Sequence, residues 1–323
     1  MNLTRVRRTG IAAVAVGFAL TLSACSSDAN SSADTPTPVE TTVEGSGPIT
    51  IGSFNFGESR ILANIYSQVL QAAGFEPTIK ELTNREVVEP ALEDGEVQVV
   101  PEYIGTLTEF LNAKANGPDA AAVSSDDVNA TLAAGQKLAN AAGITLLVPS
   151  AAADQNAFAV TRAFSEENGI TTLSDLAEYS KNNKVVLGGP AECPTRDFCQ
   201  PGLEDVYGLK VGDFVSLDAG GPLTKTALNQ GKIDVGLIFS SDGAIDANDY
   251  VVLEDDKSLQ NSDNIVAAVN TAALTPALEK ALNDVNAALT TSDLVSLNKQ
   301  VDIDRGDPAT VAAAWLKSKG LVS

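Results

Sequence analysis

The chain predicts an α/β fold built from two successive strand–helix alternations, and three observations carry that expectation. A helix–glycine–strand joint is spelled twice. Ala91-Leu92-Glu93-Asp94-Gly95-Glu96-Val97-Gln98-Val99 and Ala227-Leu228-Asn229-Gln230-Gly231-Lys232-Ile233-Asp234-Val235 share the pattern Ala-Leu-x-x-Gly-x-[Val/Ile]-x-Val. Glycine just past a helix C-cap accepts the left-handed turn that a side chain resists, and the β-branched residues after it suit a buried strand. Tyr103 follows Gly95 at the distance by which Phe239 follows Gly231, so each strand delivers an aromatic ring beyond its end. Open α/β sheets bind ligands at that edge. Finally, 323 residues are enough for two separate cores.

The totals narrow the function. A net charge of −21 sets the chain against nucleic acid, whose phosphates it would repel. It suits a solvated surface that keeps an exported protein in solution. Histidine is absent, which removes Ser-His-Asp and Cys-His catalysis and His-ligated zinc. No cofactor or metal site is expected.

Arg5, Arg7 and Arg8 precede an apolar run from Ile11 to Leu22, and Leu22-Ser23-Ala24-Cys25 follows. A basic start, a short apolar run and small residues form an export signal over residues 1–24, too short for a stable membrane span. Cysteine directly after Leu-Ser-Ala resembles a bacterial lipobox, which implies that Cys25 becomes a lipidated N-terminus. Residues 25–48 are rich in Ser, Thr, Asp and Pro without apolar periodicity, the composition of a flexible tether.

The folded part is expected to open with the alternating strand Ile49-Thr50-Ile51-Gly52-Ser53-Phe54. Asn55-Phe56-Gly57-Glu58-Ser59 then starts a helix with Ile61, Leu62, Ile65, Val69 and Leu70 on one stripe, stopped by Gly74. Residues 75–82 return as a strand. Thr83-Asn84-Arg85-Glu86 reads as a capping box, and Pro90 should kink or restart the helix that follows. Helices near 106–115 and 126–141 lead to a strand at 144–148. Units of this length favour a largely parallel sheet.

The second alternation runs through a strand at 157–161, a helix at 172–179, a strand at 184–187, a helix at 202–207 and a strand at 214–217. Pro222 suits the first turn of a helix ending at Gly231, and 233–239 closes this half. Short strands follow at 250–253 and 265–269. Residues 276–289, 292–300 and 307–319 are helical, with Trp315 on an apolar face, and are expected to pack back on the first half. Cys193 and Cys199 close a short ring and, in an exported protein, predict a disulfide that shapes Pro194-Thr195-Arg196-Asp197-Phe198. Spacing and missing further ligands argue against a redox or metal pair.

Four segments in order carry a family resemblance. They are Gly52-Ser53-Phe54-Asn55-Phe56-Gly57-Glu58-Ser59, Pro90-Ala91-Leu92-x-x-Gly95, Pro101-Glu102-Tyr103-Ile104-Gly105-Thr106, and Gly231-Lys232-Ile233-Asp234-Val235 with Ser240-Ser241-Asp242-Gly243. Together, over roughly residues 49–320, they resemble the substrate-binding proteins of glycine betaine/carnitine/choline-type ABC importers. The resemblance implies a type II periplasmic-binding fold, two α/β lobes joined by two crossover strands. On that reading residues 49–153 and 260–323 form lobe 1 and residues 154–259 lobe 2, with hinges near 153–157 and 253–262.

The resemblance also implies an aromatic box for a trimethylammonium group and an arginine for a carboxylate. Carried over by motif, the ligand-binding candidates are Asn55, Tyr103, Thr106, Asn156, Phe158, Arg196 and Phe239. A basic residue common before the Asn-Phe pair is Phe54 here, and two box tyrosines are replaced by Phe158 and Phe239. These departures leave a less polar or choline-like solute open. Core positions are the alternative for Tyr103, Phe239 and Phe158, and the favoured reading for Phe54. Arg85 is open between cleft and solvent, and Arg196 between site and surface. The chemistry is consistent, since a quaternary ammonium has no N–H to donate and offers only charge and shape to ring faces. A guanidinium gives a carboxylate two parallel hydrogen bonds.

The implied protein is a lipid-anchored monomer outside the cytoplasmic membrane, handing a small solute to a permease and its ATPase. Two other classes remain in view. An envelope enzyme acting on glycans through paired carboxylates needs no histidine, but Glu93-Asp94 and Asp255-Asp256 read as surface charges. A receptor domain of the same fold would lack a transport partner.

Overall fold

The computed structural model describes residues 45–323. The expected export signal, Cys25 and nearly all of the expected tether lie outside those residues. Order begins a little earlier than composition indicates. The Gly45 amide donates to Ala73 O at 2.8 Å, and Gly47 O accepts from the Glu76 amide at 2.9 Å.

Two five-stranded sheets form. The first holds β1 (Pro48–Ser53), β2 (Glu76–Glu81), β3 (Val99–Tyr103), β4 (Ile144–Leu146) and β10 (Ile265–Asn270) in the order β2-β1-β3-β10-β4. The second holds β5 (Asn156–Thr161), β6 (Val185–Pro190), β7 (Val211–Leu217), β8 (Val235–Phe239) and β9 (Tyr250–Val252) in the order β7-β6-β8-β5-β9. Each sheet has three parallel strands, then a strand of opposite direction: β10 runs antiparallel to β3 and β4, and β5 to β8 and β9. The sheets are therefore mixed rather than largely parallel. The reversed strand is the one the chain enters after crossing between lobes, a constraint that no local pattern records. The two crossing segments pair at Ala153 and Asn264. This is the two-lobed type II periplasmic-binding architecture.

The repeated joint is built alike in both lobes. After α2 (Arg85–Glu93) and α8 (Pro222–Asn229), Gly95 and Gly231 take φ of 75° and 63°. Their amides bond back to Leu92 O at 3.2 Å and Leu228 O at 3.0 Å. Ala91 O accepts from the Val97 amide and Ala227 O from the Lys232 amide, which satisfies carbonyls the helix ends leave free. Three residues past each glycine, a side chain continues the sheet. Gln98 Oε1 accepts from the Thr50 amide at 2.7 Å, and Asp234 Oδ2 accepts from the Val186 amide at 2.8 Å. Tyr103 and Phe239 are then the last residues of β3 and β8.

Helix α1 (Gly57–Ala72) buries its predicted stripe and packs against α9 (Pro276–Ala288), α10 (Thr291–Asp302) and α11 (Pro308–Ser318), so the C-terminal helices return to lobe 1 as expected. Trp315 joins that core. Two local expectations differ, and one helix goes unforeseen. The capping box at Thr83–Glu86 does not form: Asn84 is the N-cap and makes no side-chain cap bond. Glu86 turns instead to an arginine across the cleft. Helix α2 runs through Pro90 to Glu93. The seven-residue helix α5 (Arg162–Asn168), capped by Thr161 and stopped by Gly169 at φ 67°, was too short for its periodicity to stand out.

Candidate functional site

A cavity of 490 Å³ opens between the lobes, lined from lobe 1 by Phe54–Phe56, Arg85, Glu86, Tyr103, Thr106 and Asp263, and from lobe 2 by Asn156, Arg196 and Phe239. Four rings form its aromatic wall. Phe56, N-cap of α1, lies 5.2 Å from Phe239 and 6.2 Å from Tyr103, centroid to centroid. Phe54 stacks on Phe56 at 5.8 Å, with 6° between the planes. The Ser59 hydroxyl accepts from the Phe54 amide at 2.9 Å and holds this turn. A turn leading into a helix can place a ring where the cleft needs it, because its backbone is free of both ladders.

Beneath Tyr103 sits a buried acid. Glu58 accepts the Tyr103 hydroxyl at 2.8 Å, the Ser241 hydroxyl at 2.6 Å and the Asn298 amide at 2.7 Å. Asp154 accepts the Ser241 backbone amide at 2.8 Å and the Ser240 hydroxyl at 3.0 Å, while its second carboxyl oxygen is buried without a partner. Burial pushes Glu58 above the usual carboxylate range. Burial, then the neighbouring charge of Glu58, pushes Asp154 well above it. Tyr103 is raised by burial and then by Glu58. Desolvation and their mutual charge both disfavour ionising the two carboxyls together.

The cleft is also lined by two guanidinium groups. Arg85, 8% exposed, makes a double bond pattern to Glu102, with Nε to Oε1 at 2.9 Å and Nη2 to Oε2 at 2.7 Å. Its Nη2 also donates to the Thr106 hydroxyl at 2.9 Å, and the group lies 5.7 Å from the Phe54 ring centroid. Asp263 Oδ1 caps α3 (Ile104–Asn116) through the Gly105 and Thr106 amides, and burial, opposed by Arg85, pushes its carboxyl up to about 7. Arg196, on the loop closed by the Cys193–Cys199 disulfide, reaches across to lobe 1. Its Nε donates to Glu86 Oε1 at 2.9 Å, and its guanidinium lies 5.6 Å from the Phe110 ring centroid. Burial, then the charge of Arg85, lowers its pKa.

The cavity thus brings together Asn55, Tyr103, Thr106, Asn156, Arg196 and Phe239 of the seven candidates. Asn156 pairs with Phe239 in the β5–β8 register, and its side-chain amide donates to Phe198 O at 3.1 Å. Phe158 is a correction. It shares the sheet face of Asn156 but stands two residues deeper along β5, opposite Leu237, and at 1% exposure it fills the core of lobe 2. Phe54, expected in the core, is buried and also lines the cleft. Arg85 faces the cleft rather than solvent. Phe56, Glu58, Glu86 and Asp154 were missed. Phe56 stood in the quoted Asn-Phe-Gly motif, and that was its one signal. The carboxyls had none, because their setting is made by residues as distant as Ser241 and Asn298.

Among the described residues no cluster of His, Cys, Asp or Glu could hold a metal ion, and no helix is long and apolar enough to cross a membrane.

Residues 47–318 match the family model described as the substrate binding domain of ABC-type glycine betaine transport systems. The chain is 28% identical to the glycine betaine-binding protein YehZ of Escherichia coli over 289 residues, 86% of this chain and 92% of that one. It is 27% identical to a glycine-betaine-binding protein of Pseudomonas aeruginosa, covering 84% and 88%. A crystal structure titled as a glycine betaine/carnitine/choline ABC transporter superposes with a TM-score of 0.63 at 26% identity, over 84% of this chain and 99% of that one. A match over this length, on a two-lobed cleft walled by rings, settles the assignment: the chain is a solute-binding protein, not an enzyme, and belongs to the substrate-binding family of ABC-type glycine betaine importers.

Proposed function

We propose that the chain captures a quaternary ammonium osmoprotectant of the glycine betaine, carnitine or choline type in this cleft and delivers it unchanged to a membrane permease. The observation that carries the reading is Phe56 seated between Tyr103 of lobe 1 and Phe239 of lobe 2. Each ring face offers about 0.5–2 kcal/mol of cation–π attraction, more when desolvated. Because the rings belong to both lobes, affinity rises as the lobes close about the crossings near 153–157 and 253–262, so ligand shifts the population toward the closed form. Asn55, Thr106 and Asn156 offer polar contacts, and Arg85 and Arg196 line the same cleft. Lipidation of Cys25 would hold the protein at the outer face of the cytoplasmic membrane, in reach of its permease.

Calorimetry of residues 26–323 against glycine betaine, carnitine, choline and proline tests the reading. Saturable binding of at least one quaternary ammonium, lost when Phe239 and Tyr103 are both replaced by alanine, is expected. Binding of proline alone would overturn it. Mass spectrometry of the membrane-extracted protein tests the anchor, with a diacylglyceryl adduct on Cys25 expected.

A further inference from the structure

We propose that Glu86 sets ligand choice in the cleft: held on the Arg196 guanidinium from the opposite lobe, it disfavours a carboxylate-bearing betaine and favours a choline-like alcohol. This rests on the quaternary-ammonium reading above.

Every guanidinium that lines the cavity is already bound to a protein carboxylate. Arg85 uses Nε and Nη2 on Glu102, a pair that is buried on both sides. Arg196 uses Nε at 2.9 Å and Nη2 at 2.8 Å on Glu86 Oε1. The one lining lysine, Lys114, is bonded to Glu89 and Glu93. The remaining ionisable groups on the wall include Glu109, Asp154, Asp197 and Asp263, all acids. A ligand carboxylate finds no cation here without an acid already on it, and it must either displace Glu86 or share the Arg196 guanidinium with it. A choline-like ligand brings one positive charge and a hydroxyl. The charge suits an acidic wall, and the hydroxyl, unlike a carboxylate, asks for no cation.

Glu86 and Arg196 differ in what their loss would do. Glu86 lies in the first turn of α2 with its side chain 42% exposed, so the Glu86→Gln variant keeps the helix and the core intact. Arg196 is enclosed by the disulfide loop and the Phe110 ring, and in that variant it is freed for a ligand carboxylate.

The experiment is calorimetry of wild type and Glu86→Gln, each with choline and with glycine betaine. Wild type is expected to bind choline more tightly. Glu86→Gln is expected to tighten glycine betaine about fivefold, the scale of one exposed ion pair, and to move choline by less than about twofold. An unchanged choline-to-betaine ratio, or equal weakening of both ligands, overturns the inference and leaves the parent reading intact. The second result would make the pair a closure clamp. Failure of wild type and variant to bind either solute overturns this inference, and failure with carnitine as well overturns the parent reading.

Discussion

The Phe56 ring lies 5.2 Å from that of Phe239, and this contact joins the entrance of the first helix in lobe 1 to a strand end in lobe 2. A ring pair across the cleft makes the solute part of the interface. Replacing Phe239 by alanine is expected to weaken quaternary ammonium binding about 2- to 30-fold, the loss of one ring face. Replacing Phe158 should leave affinity nearly unchanged and cost about 3–5 kcal/mol of stability, because its ring fills the lobe 2 core. Calorimetry and urea unfolding of both variants separate the two roles.

The Arg85–Glu102 pair makes a stability prediction. Removing Arg85 alone strands a buried carboxylate and is expected to cost about 3–5 kcal/mol. The double variant Arg85→Met, Glu102→Leu should recover most of that, since the burial penalty on both charges disappears together. Urea midpoints of wild type, Arg85→Met and the double variant check the ordering.

Asp263 predicts a pH dependence. Its carboxyl, at about 7 in the folded protein, lies above its unfolded value, so the folded state holds the proton to higher pH. That contribution to stability is complete below about pH 4 and is lost as pH rises through about 7. Asp263→Asn keeps an oxygen for the Gly105 and Thr106 amides and removes the loss. The drop in urea midpoint from about pH 5 to about pH 8 is therefore expected to be smaller in the variant than in wild type.

The Cys193–Cys199 ring shapes the loop that presents Arg196. Replacing both cysteines by alanine should cost about 2 kcal/mol, the loop-entropy scale for so short a ring. It should also weaken the Arg196–Glu86 contact by loosening the loop. Thermal unfolding with and without reductant, on wild type and the double variant, checks the first effect. If the two proteins melt alike under oxidising conditions, the ring contributes nothing.

Local signals were strong where they were also sufficient. The twice-spelled joint placed Gly95 and Gly231 in left-handed turns and Tyr103 and Phe239 at matching strand ends, because helix termination and strand burial depend on a few adjacent residues. The disulfide pairing was legible for a like reason, since Cys193 and Cys199 lie six residues apart. The capping expectation at Thr83–Glu86 failed because Glu86 found a charged partner 110 positions away in the chain. Phe158 was misplaced by its motif, because it shares the face of Asn156 and only its depth along β5, opposite Leu237, puts it in the core.

By itself, then, the amino-acid order determined the α/β class, the doubled strand-end aromatics and the family to which the cleft belongs. Only tertiary structure decided which ring completes the wall, that Glu58 and Asp154 are buried beneath Tyr103, and that both cleft arginines are already held by acids. The physical reason is range. Turns and periodicity are set by neighbours a few residues apart, whereas desolvation and charge pairing are set by whatever the fold brings within a few ångströms, here from the two lobes.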